Sequence, residues 1–186
     1  VPISKNPVEQ TTFQALDDSE REDIIVEIIS KIKEQQCSAI FVYCNSLSSV
    51  VDFDQLSQEY DMPMITPMQM YRQLAMDYQQ VAVMAANSHG LMGVENNLYK
   101  ANPSLQVIGI TLLELVKSIE ANLSPKEIAT KFDFSSLISF FNGSNVEAVI
   151  LGCTHFPYIK EELESLNEAL GERTNEEALT SAIVSK

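Results

Sequence analysis

Two apolar runs in this chain end on a cysteine followed by small polar residues, and that ending restricts the folds open to it. Ala39-Ile40-Phe41-Val42-Tyr43 runs into Cys44-Asn45-Ser46, and Val146-Glu147-Ala148-Val149-Ile150-Leu151-Gly152 runs into Cys153-Thr154-His155. A helical pattern follows each, the second opened by Pro157. A short, nearly continuous apolar run suits a parallel strand covered on both faces. In an open parallel sheet, ligands bind at the carboxyl ends of the strands. Both cysteines are therefore expected where a ligand would sit.

Strand and helix patterns alternate around these runs. Residues 1–18 show no period and read as loop. Asp18-Ser19-Glu20 opens a helix in which Ile24, Ile25, Ile28, Ile29 and Ile32 recur at helical spacing. A strand is expected over 37–44, a helix over 48–60, a short strand over 63–65 and a helix over 68–78. The second cycle begins with a strand over 81–84, whose polar end is Ala86-Asn87-Ser88. A helix over 90–101 stops before Pro103. A strand over 105–110 and a helix over 112–121 follow. Ser124, Pro125 and Glu127 open a helix that runs to 141. The strand over 147–151, a helix over 158–166 and a last helix over 174–184, capped by Thr174, complete the plan. This alternation predicts an α/β fold. We read it as two pseudo-symmetric three-layer α/β/α lobes with mainly parallel sheets and the active site in the cleft between them. Residues 1–79 plus 169–186 form one lobe and 80–168 the other. The chain starts without Met and no opening strand is visible, so the first strand of the first lobe is expected to be missing.

Charge and cysteine count narrow the function. Twelve Lys and Arg against 26 Asp and Glu give a net charge of -14, which excludes the basic footprint of a nucleic-acid binder. Apolar runs are strand-sized, well short of the ~20 residues of a membrane span. Three cysteines leave one unpaired under any disulfide scheme, as in a reduced, cytoplasmic protein.

A cysteine at the end of a buried strand is usually a small hydrophobe. Two such cysteines in matched settings are less easily accidental. One thiolate and one thiol on opposite sides of a substrate can remove a proton from carbon and return one to the other face. Asn45, Ser46, Ser48, Thr154, Asn87 and Ser88 supply the donors and acceptors for a ligand carrying carboxylate and ammonium groups. Cys37 lacks this setting and reads as core. Cys153 and His155 alone do not make a metal site, so no metal is expected. His89 reads as a loop residue, and Met62, Met64, Met68, Met70 and Met76 as core and hinge packing.

Leu151-Gly152-Cys153-Thr154-His155-Phe156-Pro157 and Tyr43-Cys44-Asn45-Ser46 closely resemble the two cysteine motifs of the cofactor-independent glutamate racemases, within the aspartate/glutamate racemase superfamily. The resemblance covers nearly the whole chain and is weaker between the motifs. It implies an isomerase that interconverts L- and D-glutamate without pyridoxal phosphate, supplying D-glutamate for peptidoglycan. Cys44 and Cys153 would be the acid/base thiols, His155 would assist Cys153, and Glu120 would pair with that histidine. Asn45, Ser46 and Thr154 would hold the substrate, with Asn87 and Ser88 at a loosely matched turn. A homodimer is carried as an expectation. The family's opening Asp-Ser-Gly strand, whose aspartate supports the first cysteine, has no counterpart here. Its Pro-Tyr-Gly also falls on Val1-Pro2-Ile3-Ser4 without the Tyr-Gly. Two alternatives therefore stay open: a superfamily enzyme acting on another carbon acid, of aspartate or hydantoin type, and a binding protein that keeps the motifs.

Overall fold

The computed structural model describes residues 1–4, 7–171 and 182–184. It opens with α1 (Pro7–Ala15) and α2 (Asp18–Glu34). The loop expected over 1–18 is thus corrected to a helix over its second half. Pro7 begins α1, where a missing N–H costs nothing, and Glu9 lies in its first turn. At α2 a capping box closes the N-terminus. Asp17 accepts from the Glu20 N–H at 2.8 Å, and the Glu20 carboxylate accepts from the Asp17 N–H at 3.4 Å.

A two-stranded parallel sheet follows, β1 (Ile40–Phe41) with β2 (Met64–Ile65). Between them lie α3 (Asn45–Val50) and α4 (Phe53–Glu59). The single helix expected over 48–60 is broken because Asp52 caps a new start, accepting from the Gln55 N–H at 2.9 Å. Only two residues of the strand expected over 37–44 pair, and Cys37, expected in the core, is exposed. Ile25 and Ile29 of α2 pack with Val42, Phe53, Leu56 and Met64 to form this part's core.

The larger sheet takes up the rest of the chain. Its strands are β3 (Gln80–Ala85), β4 (Gln106–Thr111), β5 (Ala148–Leu151) and β6 (Ala182–Val184). They are all parallel, in the order β4-β3-β5-β6. Side chains alternate across the pleat and split the core in two. Val81, Val83, Ala148 and Ile150 face α5 (Met68–Leu74) and α6 (Ser88–Ala101). Ala82, Met84, Val149 and Leu151 face α7 (Leu113–Glu120), α8 (Pro125–Lys131), α9 (Phe134–Gly143) and α10 (Lys160–Gly171). The parallel α/β layering expected from the alternation is the one adopted, with two strands in one sheet and four in the other among the described residues.

Other expectations need correcting. The helix expected over 124–141 is two, because Asp133 takes a left-handed conformation (φ 48°) between α8 and α9 and caps the second. Residues 174–181 of the last expected helix lie outside the described residues, and Ala182–Val184 form a strand on β5. His89 lies within α6 instead of a loop, and Met76, expected to pack, is 69% exposed.

One close contact joins the two parts. Gly93 of α6 lies against α3 so tightly that a Cβ there would come 2.0 Å from Ser49 Cβ, and one at Gly90 would come 3.0 Å from Ser46 Oγ. These glycines are needed for close approach, not for turn geometry. The approach sets the N-terminus of α3, where Cys44 stands, beside the strand ends of the larger sheet.

Candidate active site

Cys44 is the N-cap of α3, in extended conformation (φ -162°, ψ 120°). Its Sγ accepts from the Leu47 N–H at 3.4 Å and from Gln10 Nε2 of α1 at 3.1 Å. Cys153 follows Gly152, whose N–H donates to the Met84 carbonyl at 2.8 Å and carries β5 one residue past its last ladder pair. A Cβ at Gly152 would sit 3.0 Å from that carbonyl oxygen, so the residue before Cys153 has little room to be anything else.

Both thiols line one cavity of about 210 Å³. Asn45, Ser46, Asn87, Thr154 and His155 line it too, as do Ser4, Gln10 and Tyr43. Among its described lining residues none is Lys or Arg, so an anionic group there would be held by amides and hydroxyls. The fold leaves two candidate binding residues out of this lining: Ser88 is exposed at the start of α6, and Ser48 of α3 donates its hydroxyl to the Cys44 carbonyl at 2.7 Å. A larger cavity of about 340 Å³ shares Ser4, Gln10, Tyr43 and Cys44, but its lining is mostly apolar, with Ile25, Ile28, Ile29 and Ile32 of α2 among it, and does not include Cys153.

Cys153 heads a short relay. His155 Nδ1 stands 3.7 Å from its sulfur, and His155 Nε2 lies 3.3 Å from Glu120 Oε1 at the end of α7. This is the histidine–glutamate pairing that the resemblance implies. A carboxylate on one ring nitrogen orients the imidazole and leaves the other toward the thiol.

Burial pushes both thiols up. At Cys44 it is opposed by the N–H groups of Leu47 and Ser46 and by the Gln10 amide. At Cys153 it lifts the thiol from 9.0 to about 11 against the His155 and Phe156 N–H groups, with the charges of Cys44 and Glu120 adding to the rise. The coupling between the sulfurs means that a thiolate on one disfavours a thiolate on the other.

Sequence reasoning missed Gln10, Gln14 and Tyr71. The buried Tyr71 of α5 donates its hydroxyl to Asn45 Oδ1 at 2.8 Å. That engages one lone pair of the amide oxygen and fixes the amide's orientation, so its N–H groups are the donors Asn45 offers a ligand. Burial, with the charge of Cys153 adding, pushes the Tyr71 phenol up, so it stays a donor. Asn87 caps α6 through Oδ1, which accepts from the Gly90 N–H at 3.0 Å, and its Nδ2 donates to Gln14 Oε1 at 3.0 Å. Much of Asn87's capacity is thus spent on the fold. Pro7 and Glu9, signs of a helix start, were the available hint to Gln10 and Gln14.

The family model described as Asp/Glu/Hydantoin racemase matches residues 4–169, nearly the whole chain. The chain belongs to the Asp/Glu/hydantoin racemase family. Among curated members of that family, it is 28% identical over 135 residues to the glutamate racemase of Limosilactobacillus reuteri, covering 71% of this chain and 50% of that protein. It is 24% identical over 180 residues to the glutamate racemase of Oceanobacillus iheyensis, covering 92% of this chain and 58% of that protein. The chain therefore spans about half the length of the curated relatives it matches. Its fold is that of solved glutamate racemases. The Francisella tularensis enzyme in complex with D-glutamate superposes with a TM-score of 0.59 at 23% identity, over 89% of this chain and 59% of that one. The Escherichia coli enzyme in complex with L-glutamate and the activator UDP-MurNAc-ala superposes with a TM-score of 0.55 at 20% identity, over 83% of this chain and 59% of that one.

Proposed function

We propose that this protein is a cofactor-independent amino-acid racemase that interconverts L- and D-glutamate. The observation that carries the proposal is the pair of thiols, Cys44 and Cys153, lining one cavity, with His155 and Glu120 behind the second. Curated glutamate racemases among the relatives support glutamate as the substrate.

The reaction balances within the site. A thiolate on one cysteine takes the α-proton and becomes a thiol. The electron pair left on carbon delocalises into the substrate carboxylate, where the Asn45 N–H groups, Ser46 and Thr154 hold the growing charge. The opposite thiol gives its proton to the other face of the carbon and becomes the thiolate. Each turnover exchanges the protonation states of Cys44 and Cys153. A raised thiol makes a scarcer but stronger base, which suits so weak a carbon acid. This reading takes 1–79 as one lobe and 80–168 as the other, with Ala182–Val184, expected with 169–186 in the first, paired instead on β5 of the second; lining residues from both stretches support a substrate between them. A cytoplasmic setting suits three free cysteines, and among the described residues no helix is long and apolar enough to cross a membrane.

Cys44→Ala and Cys153→Ala test the mechanism by polarimetry on each enantiomer. Each should lose at least ~100-fold in racemisation rate, the lower range of acid–base catalysis. A variant that racemises at the parental rate would overturn the two-thiol scheme. Turnover of aspartate or a hydantoin, with none of glutamate, would replace the substrate and keep the scheme.

A further inference from the structure

Helix α1 was not legible as part of the site, yet it supplies the best-placed side-chain donor to either thiol. Gln10 and Gln14 are one turn apart and share a face of α1. Gln14, 2% exposed, accepts from Asn87 at the end of β3, and Gln10 donates to Cys44 at the end of β1. One helix face therefore ties the two strand ends together across the cavity.

We propose that Gln10 is a positioning residue that makes Cys44, not Cys153, the thiolate of the resting site. The inference deepens the racemase reading and rests on it for its catalytic meaning. An amide N–H only donates, and a thiolate is a far better acceptor than a thiol. Gln10 Nε2, 3.1 Å from Cys44 Sγ, therefore favours the ionised form at that sulfur and holds it in place. The Leu47 N–H adds a second donor at 3.4 Å. Cys153 takes the His155 and Phe156 N–H groups but, among the described residues, no matching side-chain amide; its side-chain partner there is His155 at 3.7 Å, backed by the Glu120 carboxylate. Because the sulfurs disfavour each other's ionisation, the donor set on one side decides which of them carries the charge. The enantiomer whose α-proton faces Cys44 then meets a base already formed, and the opposite one needs the proton shifted first.

The titratable groups around Cys44 are Tyr43 on its own segment, Cys153 and His155 from the end of β5 with Glu120 behind them, and Tyr71 of α5 beyond Asn45. Glu9 of α1 is the sequence neighbour of Gln10. Gln10→Leu and Gln10→Glu alter none of these.

Iodoacetamide labelling against pH, read at the Cys44 peptide by mass spectrometry, tests the proposal without turnover. In Gln10→Leu the midpoint of Cys44 labelling should rise by about one pH unit, the size of a charge-assisted hydrogen bond lost. In the nearly isosteric Gln10→Glu it should rise further, because a carboxylate replaces the donor. Altered access alone would change the plateau rate and leave the midpoint in place. An unmoved midpoint in both variants, or faster labelling of Cys153 than of Cys44 at neutral pH in the parent, would overturn the proposal. Gln10→Glu carries the test alone where Leu disturbs α1. A moved midpoint in a protein without racemase activity would uphold the placement of Gln10 and defeat the function, so the two failures are distinguishable.

Discussion

Cys153 is the residue whose burial has the plainest thermodynamic consequence. In the folded chain its thiol keeps its proton up to about pH 11, against 9.0 for an ordinary thiol. Below pH 9 both folded and unfolded chains are protonated at this position, and its contribution to stability is complete. Between 9 and 11 the unfolded chain releases the proton first and is favoured, so about 2–3 kcal/mol of stability is lost across that window. Urea midpoints measured from pH 8 to 11 should fall more steeply for the parent than for Cys153→Ala. Parallel curves would show that the thiol is not held in its protonated form. At this scale the sequence was informative where chemistry is local. Cys153 and His155 are two residues apart, and their order alone announces a thiol beside an imidazole. Gln10 and Tyr71 were hidden because each reaches the site across a tertiary contact, to a partner 34 or 26 positions away.

Elements matter through how closely they approach. Helices α3 and α6 touch at Gly93, where even a methyl group would lie 2.9 Å from the Ser49 Cα and closer still to its Cβ. Gly93→Ala must push the helices apart and should cost about 2–3 kcal/mol, toward the upper range for overpacking. Because α3 carries Asn45 and Ser46, the same change should lower activity in the folded fraction. A urea midpoint equal to the parent's would contradict this contact. Strand positions, helix α2 and the polar ends of β3 and β5 could be read from period and composition. Breaks within helical periods could not. Apolar spacing continues across Asp52 and Asp133, so only the caps reveal that one helix has become two. The strand that leads to Cys44 was read too long because Cys37 to Ala39 are apolar or small yet outside the paired strand, and an apolar residue next to a strand need not be covered.

The whole molecule carries a net charge of -14 and binds its substrate, in our reading, in a cavity with no lining cation among its described residues. Self-repulsion of this size weakens the compact state and is screened by salt. Raising NaCl from about 0.01 M to about 0.5 M should lift the thermal midpoint by several degrees, and a fall would show that paired charges outweigh repelling ones. The overall α/β plan was legible because parallel strands and amphipathic helices leave different periods. The unequal sheets were not, since strand pairing depends on residues far apart in sequence. The central claim is that two thiols at the ends of strands from the two sheets exchange a proton with the α-carbon of glutamate. Proton NMR of L- and D-glutamate with the protein in D₂O tests it most directly. Loss of the α-proton signal from both enantiomers, with the opposite enantiomer appearing and exchange abolished in Cys44→Ala and Cys153→Ala, is the predicted result. An α-proton retained in both enantiomers by the folded, full-length protein would contradict it.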